Sequence, residues 1–158
     1  MNYRYTLAFL IGFISCAFLV YIFFFSNLNL SFMTGFASFS GETPSNWISE
    51  KDIVVLDDRV ILYVDGATLS SYFSSKSMSP LLGSEANGIR VVPRVAEEIS
   101  VGDIISFRIG DNLIVHRVVK KGIDSKGIYF VTQGDNNAFV DDKIRFEDIE
   151  FVTVGIIW

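Results

Sequence analysis

The chain has 158 residues, half of them hydrophobic, with 13 basic and 18 acidic side chains, one histidine and one cysteine. That length suits one compact domain. A net charge of −5 without a basic cluster argues against nucleic acid as a partner and against simple electrostatic attachment to anionic lipid, and a lone cysteine excludes a disulfide framework.

The hydrophobic excess sits at the N-terminus. From Leu7 to Phe25, "LAFLIGFISCAFLVYIFFF", nineteen residues pass without a charge. At about 1.5 Å per residue this run can cross a hydrocarbon core of roughly 30 Å. Two rival readings are a cleaved signal peptide, with "SCA" at 15–17 as its cleavage site, and a lipoprotein box at "FISC" 13–16. Both are weaker, because the small residues lie inside the apolar run and a signal h-region is usually only about 7–15 residues. The expectation is an uncleaved transmembrane helix over 7–25, preceded by a short cytoplasmic N-terminus, 1–6. Arg4 precedes the run and the next basic residue is Lys51, so the rest of the chain is expected outside the cytoplasm. That exported part carries 12 basic and 18 acidic side chains, a net of −6, and contains no cysteine.

Residues 26–50 are rich in Ser, Asn, Gly and Phe and read as a juxtamembrane linker. Phe32, Phe36, Phe39 and Trp47 either dip into the membrane interface or cover the domain.

From residue 51 to 158 the signal is β. "DIVVLDDRVILYVDG" predicts strand, Asp-Asp turn, strand. "GDIISFRIGDNLIVHRVVKKG" predicts a hairpin, with Ile105, Phe107 and Ile109 alternating with Ser106 and Arg108 as in a half-buried strand. Gly110-Asp111-Asn112 supply its turn. "GIYFVTQGD" follows a Gly-rich turn at 122–127, and "IEFVTVGIIW" is the last strand. Helical period is confined to Tyr72–Leu82. The expected fold is mostly β: a small antiparallel β domain on a single N-terminal transmembrane helix.

Three stretches bear on chemistry. "YFSSKSMSP" at 72–80 has four serines in nine residues. By itself it reads as a surface loop, since a hydroxyl becomes a nucleophile only beside a base that a third group orients. His116 lies mid-strand on a face shared with Ile114 and Val118, which suits a satisfied core histidine or a base equally. In "GDNNAFVDD", three Asp and two Asn fall within eight residues without the alternate spacing of a calcium-binding EF-hand loop. This is either an Asx-rich turn or a source of the carboxylate that a catalytic histidine needs.

Taken together, the three stretches resemble a known family. "SKSMSP" at 75–80 resembles its Ser-Gly-Ser-Met-x-Pro box. "GDIISF" followed by "VHRVV" resembles its Gly-Asp strand and His-Arg box. "FVTQGDNNAFVDD" resembles its Thr-Lys-Gly-Asp-Asn-Asn box with an Asp six residues after the first. The family is the type I signal peptidases of the archaeal and endoplasmic-reticulum class, which also occur in some Gram-positive bacteria. The resemblance covers roughly residues 50–157 and the N-terminal anchor.

It implies a Ser77 nucleophile, a His116 general base and an Asp141 that orients the imidazole, with Asp142 as the alternative one place on. It implies support from Asp135 and an oxyanion-hole donor in Ser75. No cofactor and no metal are implied. The implied partners are signal peptides of preproteins, membrane lipid, and secretion machinery or accessory subunits. The plasma membrane is the expected location, with the endoplasmic-reticulum membrane as the alternative. The chain departs from the pattern at Lys76, in place of Gly, and at Gln133, in place of Lys. A side chain at 76 is expected either to crowd the oxyanion hole or to require a negative φ. These departures leave a second reading, a catalytically impaired relative that binds signal sequences or assists another membrane protein. A Ser77–Lys76 dyad is rejected, because neighbouring side chains in an extended loop point apart.

Overall fold

The structure is a computed structural model that describes Ser15, residues 43–73 and residues 76–158. Apart from Ser15, the expected membrane span and N-terminus lie outside the described residues, as do the linker up to residue 42, including Phe32, Phe36 and Phe39, and Ser74 and Ser75. Among the described residues, no helix is long and apolar enough to cross a membrane. The chain divides into two units between Ser38 and Phe39, and every described strand belongs to the second.

That unit is mostly β and antiparallel throughout. Strands β1 (Ile53–Val55) and β2 (Val60–Leu62) form the expected hairpin around Asp57-Asp58, closed by the Leu56 N–H donating to the Arg59 carbonyl at 2.8 Å. The other strands are β3 (Thr68–Ser71), β4 (Asn87–Val91), β5 (Ile104–Ile109), β6 (Asn112–Asp124), β7 (Gly127–Gln133) and β8 (Ile149–Ile157). They make one six-stranded sheet in the order β3-β4-β8-β5-β6-β7.

The β5–β6 hairpin has a two-residue turn, Gly110-Asp111, since Asn112 already pairs with Ile109. Gly110 takes φ +58°, the left-handed conformation that such a turn requires and that glycine reaches without a steric cost. Gly122 is not part of a turn, as its neighbourhood suggested; it lies within β6 opposite Tyr129. A Cβ there would meet the Tyr129 ring at 2.6 Å, so the aromatic ring fills the space a side chain would need.

Strand β5 is central, and its first four residues are buried on both faces rather than one. Ile105 and Phe107 join Val118, Phe130 and Val152 in the main core, all fully buried. Ile104 points the other way, into a second cluster with Met78, Leu82 and Ala86. Complete burial of a side chain such as Phe107 is worth about 1.5–3 kcal/mol. Ser106 on the second face is buried too, where alternation alone suggests an exposed position.

Residues 44–47 also belong to the domain. Trp47 packs on the main core, and its indole N–H donates to Asp103 Oδ1 at 3.3 Å. Of the two readings for Trp47, covering the domain is the one observed. Residues 76–82 form successive turns, not a helix.

Candidate active site

His116 lies on β6 opposite Ile105, on the face of the main core, with its ring edge toward Phe107 at a centroid distance of 6.3 Å. Strand β7 ends at Gln133, which pairs with Arg117. His116 is therefore the first β6 residue beyond that pairing, at the rim of the sheet. Its side chain is 9% exposed.

The chain after β7 turns back on itself. Asp141 N–H donates to the Thr132 carbonyl at 2.7 Å, and Phe130 and Ile144 exchange backbone hydrogen bonds of 3.0 and 2.8 Å. Residues 141–144 thus run antiparallel to β7, which fixes Asp141 by its own backbone. Its Oδ2 then meets His116 Nδ1 at 2.6 Å and accepts the Thr132 hydroxyl at 2.6 Å. A carboxylate on Nδ1 makes that nitrogen the donor and leaves the Nε2 lone pair as the proton acceptor. Of the two candidate carboxylates, Asp141 is the one at the ring; Asp142 is exposed.

Asp135 belongs to the same loop and makes a different contact. It accepts two bonds from Arg117, Nε to Oδ1 at 2.8 Å and Nη2 to Oδ2 at 2.7 Å. Such paired, charge-assisted bonds fix orientation as well as distance. A third guanidinium N–H donates to the Gly102 carbonyl at 2.9 Å, so Arg117 ties the loop to the start of β5.

Ser77 is held by this loop as well. Its carbonyl accepts the Asn136 N–H at 2.8 Å, and a Cβ on Gly134 would lie 2.7 Å from that oxygen. Only glycine permits the approach. Met78, beside it, is buried, and its sulfur accepts the Asp135 N–H at 3.5 Å. Residues 134–141 therefore hold Ser77 by Asn136, Arg117 by Asp135 and His116 by Asp141. Ser75 lies outside the described residues.

Lys76 takes φ +63°, the left-handed region that favours glycine. The expectation of a negative φ is not met: the lysine adopts the conformation a glycine would, at a cost on the order of 1–3 kcal/mol. Beside it lies an open cleft of about 290 Å³, with Pro80, Leu82, Ala86 and Trp158 among its lining. The hydrophobic residues around the site divide by burial. Met78 and Leu82 are core, Leu81 is half-buried, and Phe139 is 84% exposed.

Two residues of this region carry roles that the sequence did not reveal. Thr132 is fully buried and orients Asp141. Asp103 is buried and accepts the Ser45 N–H at 3.0 Å and the Ser100 N–H at 2.8 Å, besides the Trp47 indole. Burial raises its carboxyl above the ordinary carboxylate value, against the pull of these donors. Thr132 stands inside one of the three boxes and Asp103 in a Gly-Asp pair, but neither residue type announces a partner far along the chain. Among the described residues, no three His, Cys, Asp or Glu side chains are grouped to hold a metal ion. Compared with protein-family models, curated proteins and solved structures, the chain gives no match.

Proposed function

We propose that the chain is a membrane-anchored serine endopeptidase that removes signal peptides from exported preproteins, a reading that starts from its resemblance to type I signal peptidases. The observation that carries it is the Asp141–His116 pair, with Ser77 held by the same loop. Nδ1–H of the imidazole stays on Asp141, so Nε2 takes the proton of the Ser77 hydroxyl. The Ser77 oxygen bonds to the scissile carbonyl carbon, and the carbonyl oxygen becomes an oxyanion. The Ser77 N–H and the Ser75 hydroxyl stabilise that charge. When the C–N bond breaks, Nε2–H gives its proton to the leaving amine. Water, deprotonated by the same imidazole, then releases the signal peptide from the acyl-enzyme. Asp135 supports the site by holding Arg117, the neighbour of His116. The reading requires Ser77 Oγ and His116 Nε2 to meet within about 3.2 Å when substrate is bound.

The substrate binds extended and adds a strand to the outer edge of β3, which leads towards Ser77 and, among the described residues, pairs with β4 alone. Small side chains at the third and first positions before the bond fit the site. Residues 7–25 form the single anchor, with the N-terminus in the cytoplasm and the domain outside, at the plasma membrane or the endoplasmic-reticulum membrane. Tethering confines enzyme and preprotein to one plane and raises their effective concentration. Exposed Phe139 rests against the lipid. Secretion machinery or accessory subunits are further partners.

The second reading, a catalytically impaired signal-sequence-binding relative, draws on the strained Lys76 next to Ser77. One experiment separates the two. The full chain in detergent is mixed with a preprotein and the shortened product is sought, for wild type, Ser77→Ala, His116→Ala and Asp141→Asn. Cleavage by wild type that vanishes in the first two variants supports the protease. Binding without cleavage supports the relative. Cleavage that survives Ser77→Ala ends the protease reading, and a chelator is expected to leave activity intact.

A further inference from the structure

Asn136 contacts two consecutive carbonyls of the serine-bearing turn. Its backbone N–H donates to Ser77 C=O at 2.8 Å, and its side-chain Nδ2 donates to Lys76 C=O at 3.2 Å. We infer that Asn136 is a positioning residue that aims the Ser77 backbone N–H at the developing oxyanion. This inference rests on the protease reading.

The constraint is geometric. In a trans peptide the C=O and N–H of one plane point in opposite directions. The Lys76 carbonyl and the Ser77 N–H belong to one such plane. Whatever fixes that carbonyl therefore fixes the direction of the N–H. The Lys76 carbonyl has two donors, the Ser79 N–H at 3.1 Å and Asn136 Nδ2. The Ser79 bond is internal to the turn and sets its local shape. The Asn136 bond comes from the loop whose Asp141 holds His116. It alone of the two sets the peptide plane relative to the base. Lys76 sharpens the need, because a non-glycine residue at φ +63° relaxes readily once its restraints are removed. The loop is itself braced, by Asn137 N–H on Gly134 C=O at 2.8 Å and by Gln133 Nε2 on Asn137 C=O at 2.7 Å.

The test compares Asn136→Ala and Asn136→Asp with wild type, using the full chain in detergent. Four quantities are read on a peptide spanning a preprotein cleavage site: kcat, KM, the affinity of a boronic acid built on the same sequence, and the affinity of the uncleaved peptide for each of the three proteins carrying Ser77→Ala as well. The boronate forms a tetrahedral adduct on the serine, so its binding reports the oxyanion site, whereas KM and the affinity of an uncleaved peptide bound by Ser77→Ala report ground-state binding. In Asn136→Ala, kcat is expected to fall about tenfold to a hundredfold, with KM changed less than about threefold and boronate affinity falling in step with kcat. Asn136→Asp replaces the side-chain donor with an acceptor facing a carbonyl and is expected to lose at least as much. Both variants should melt within a few degrees of wild type. The inference is overturned by kcat within twofold of wild type in both variants. It is equally overturned if boronate and ground-state peptide affinity fall together with the melting temperature, the mark of a merely structural role. Wild-type cleavage that persists in Ser77→Ala defeats instead the protease reading beneath it.

Discussion

The Thr132 hydroxyl and the His116 Nδ1–H converge on one oxygen, Oδ2 of Asp141, each at 2.6 Å. Thr132 also accepts the Asp141 N–H on its carbonyl, so one buried residue fixes both backbone and carboxylate. Thr132→Val keeps the shape and removes the donor. It is expected to lower the rate of preprotein cleavage about tenfold while the protein stays folded, since the cost of a lost buried hydrogen bond is about 1–3 kcal/mol. Asp141→Asn should cost more, on the order of a hundredfold to ten-thousandfold, because an amide no longer selects the tautomer with a free Nε2. Rates at saturating peptide, with melting curves for each variant, check both. A Thr132→Val enzyme as fast as wild type would remove Thr132 from the site.

What the sequence discloses depends on how local each cause is. The β5–β6 hairpin is written locally, in alternation and a Gly-Asp turn, and its register brings His116 opposite Ile105. Strands β3 and β4, "TLSS" and "NGIRV", carry no such pattern. Tyr72, the residue after β3, lies over Gly88 of β4, where a Cβ would sit 1.8 Å from the phenol oxygen, and its hydroxyl reaches Thr153 Oγ1 of β8 at 3.2 Å, a contact far apart in the chain. Burial of Ser106 and partial burial of Trp47 likewise depend on what other segments cover. At the site, the boxes named Ser77, His116 and the two late aspartates, but choosing between Asp141 and Asp142 needed the pairing of 141–144 with β7. Sequence periodicity has no access to that, because a one-residue slip in register sends each side chain to the other face.

Lys76 offers a test of backbone strain. At φ +63° a lysine is disfavoured and a glycine is not. Lys76→Gly is expected to stabilise the domain by about 0.5–1 kcal/mol, the relief of strain being partly offset by the greater freedom of glycine in the unfolded chain. Lys76→Val should destabilise it, because a β-branched residue tolerates this region least. Denaturant midpoints of the three proteins decide. A glycine variant less stable than wild type would mean that the lysine side chain contributes more than its backbone costs.

Asp103 anchors the segment that precedes the sheet. Its carboxylate accepts the Ser45 and Ser100 N–H groups and the Trp47 indole N–H. Asp103→Ala leaves these donors without their acceptor and is expected to destabilise the domain by on the order of 2–3 kcal/mol. The sign of the pH dependence is set by burial, which raises the folded-state value above the ordinary 3.8. The folded state then holds the proton more tightly than the unfolded chain. This contribution to stability is present below 3.8 and is lost as pH rises through the raised value. Wild type should therefore gain on Asp103→Ala as pH is lowered through that interval, as read from urea titrations at several pH values.

Asp124 should show the opposite dependence. It closes the far end of the β6–β7 hairpin, accepting from Lys143 Nζ at 2.9 Å, the Lys126 N–H at 3.0 Å and Arg145 Nη2 at 2.9 Å. Lys143 first, then the Lys126 N–H and Arg145, hold its carboxyl far below the ordinary 3.8. Arg145 also donates to the Gly127 and Ile128 carbonyls, both at 3.1 Å, so the pair fastens the returning chain to β7. A depressed folded-state value stabilises the fold above 3.8, and the effect is lost as pH falls below it towards the folded-state value. Asp124→Asn is expected to melt below wild type at neutral pH, with a gap that narrows in strong acid and with added salt. Because 141–144 leads directly from Asp141 to this cluster, the same variant should loosen the Asp141–His116 contact. Faster amide exchange at Asp141 and Ile144 is the measurable sign. Unchanged exchange there, with the melting gap present, would show that the hairpin end and the site are mechanically independent.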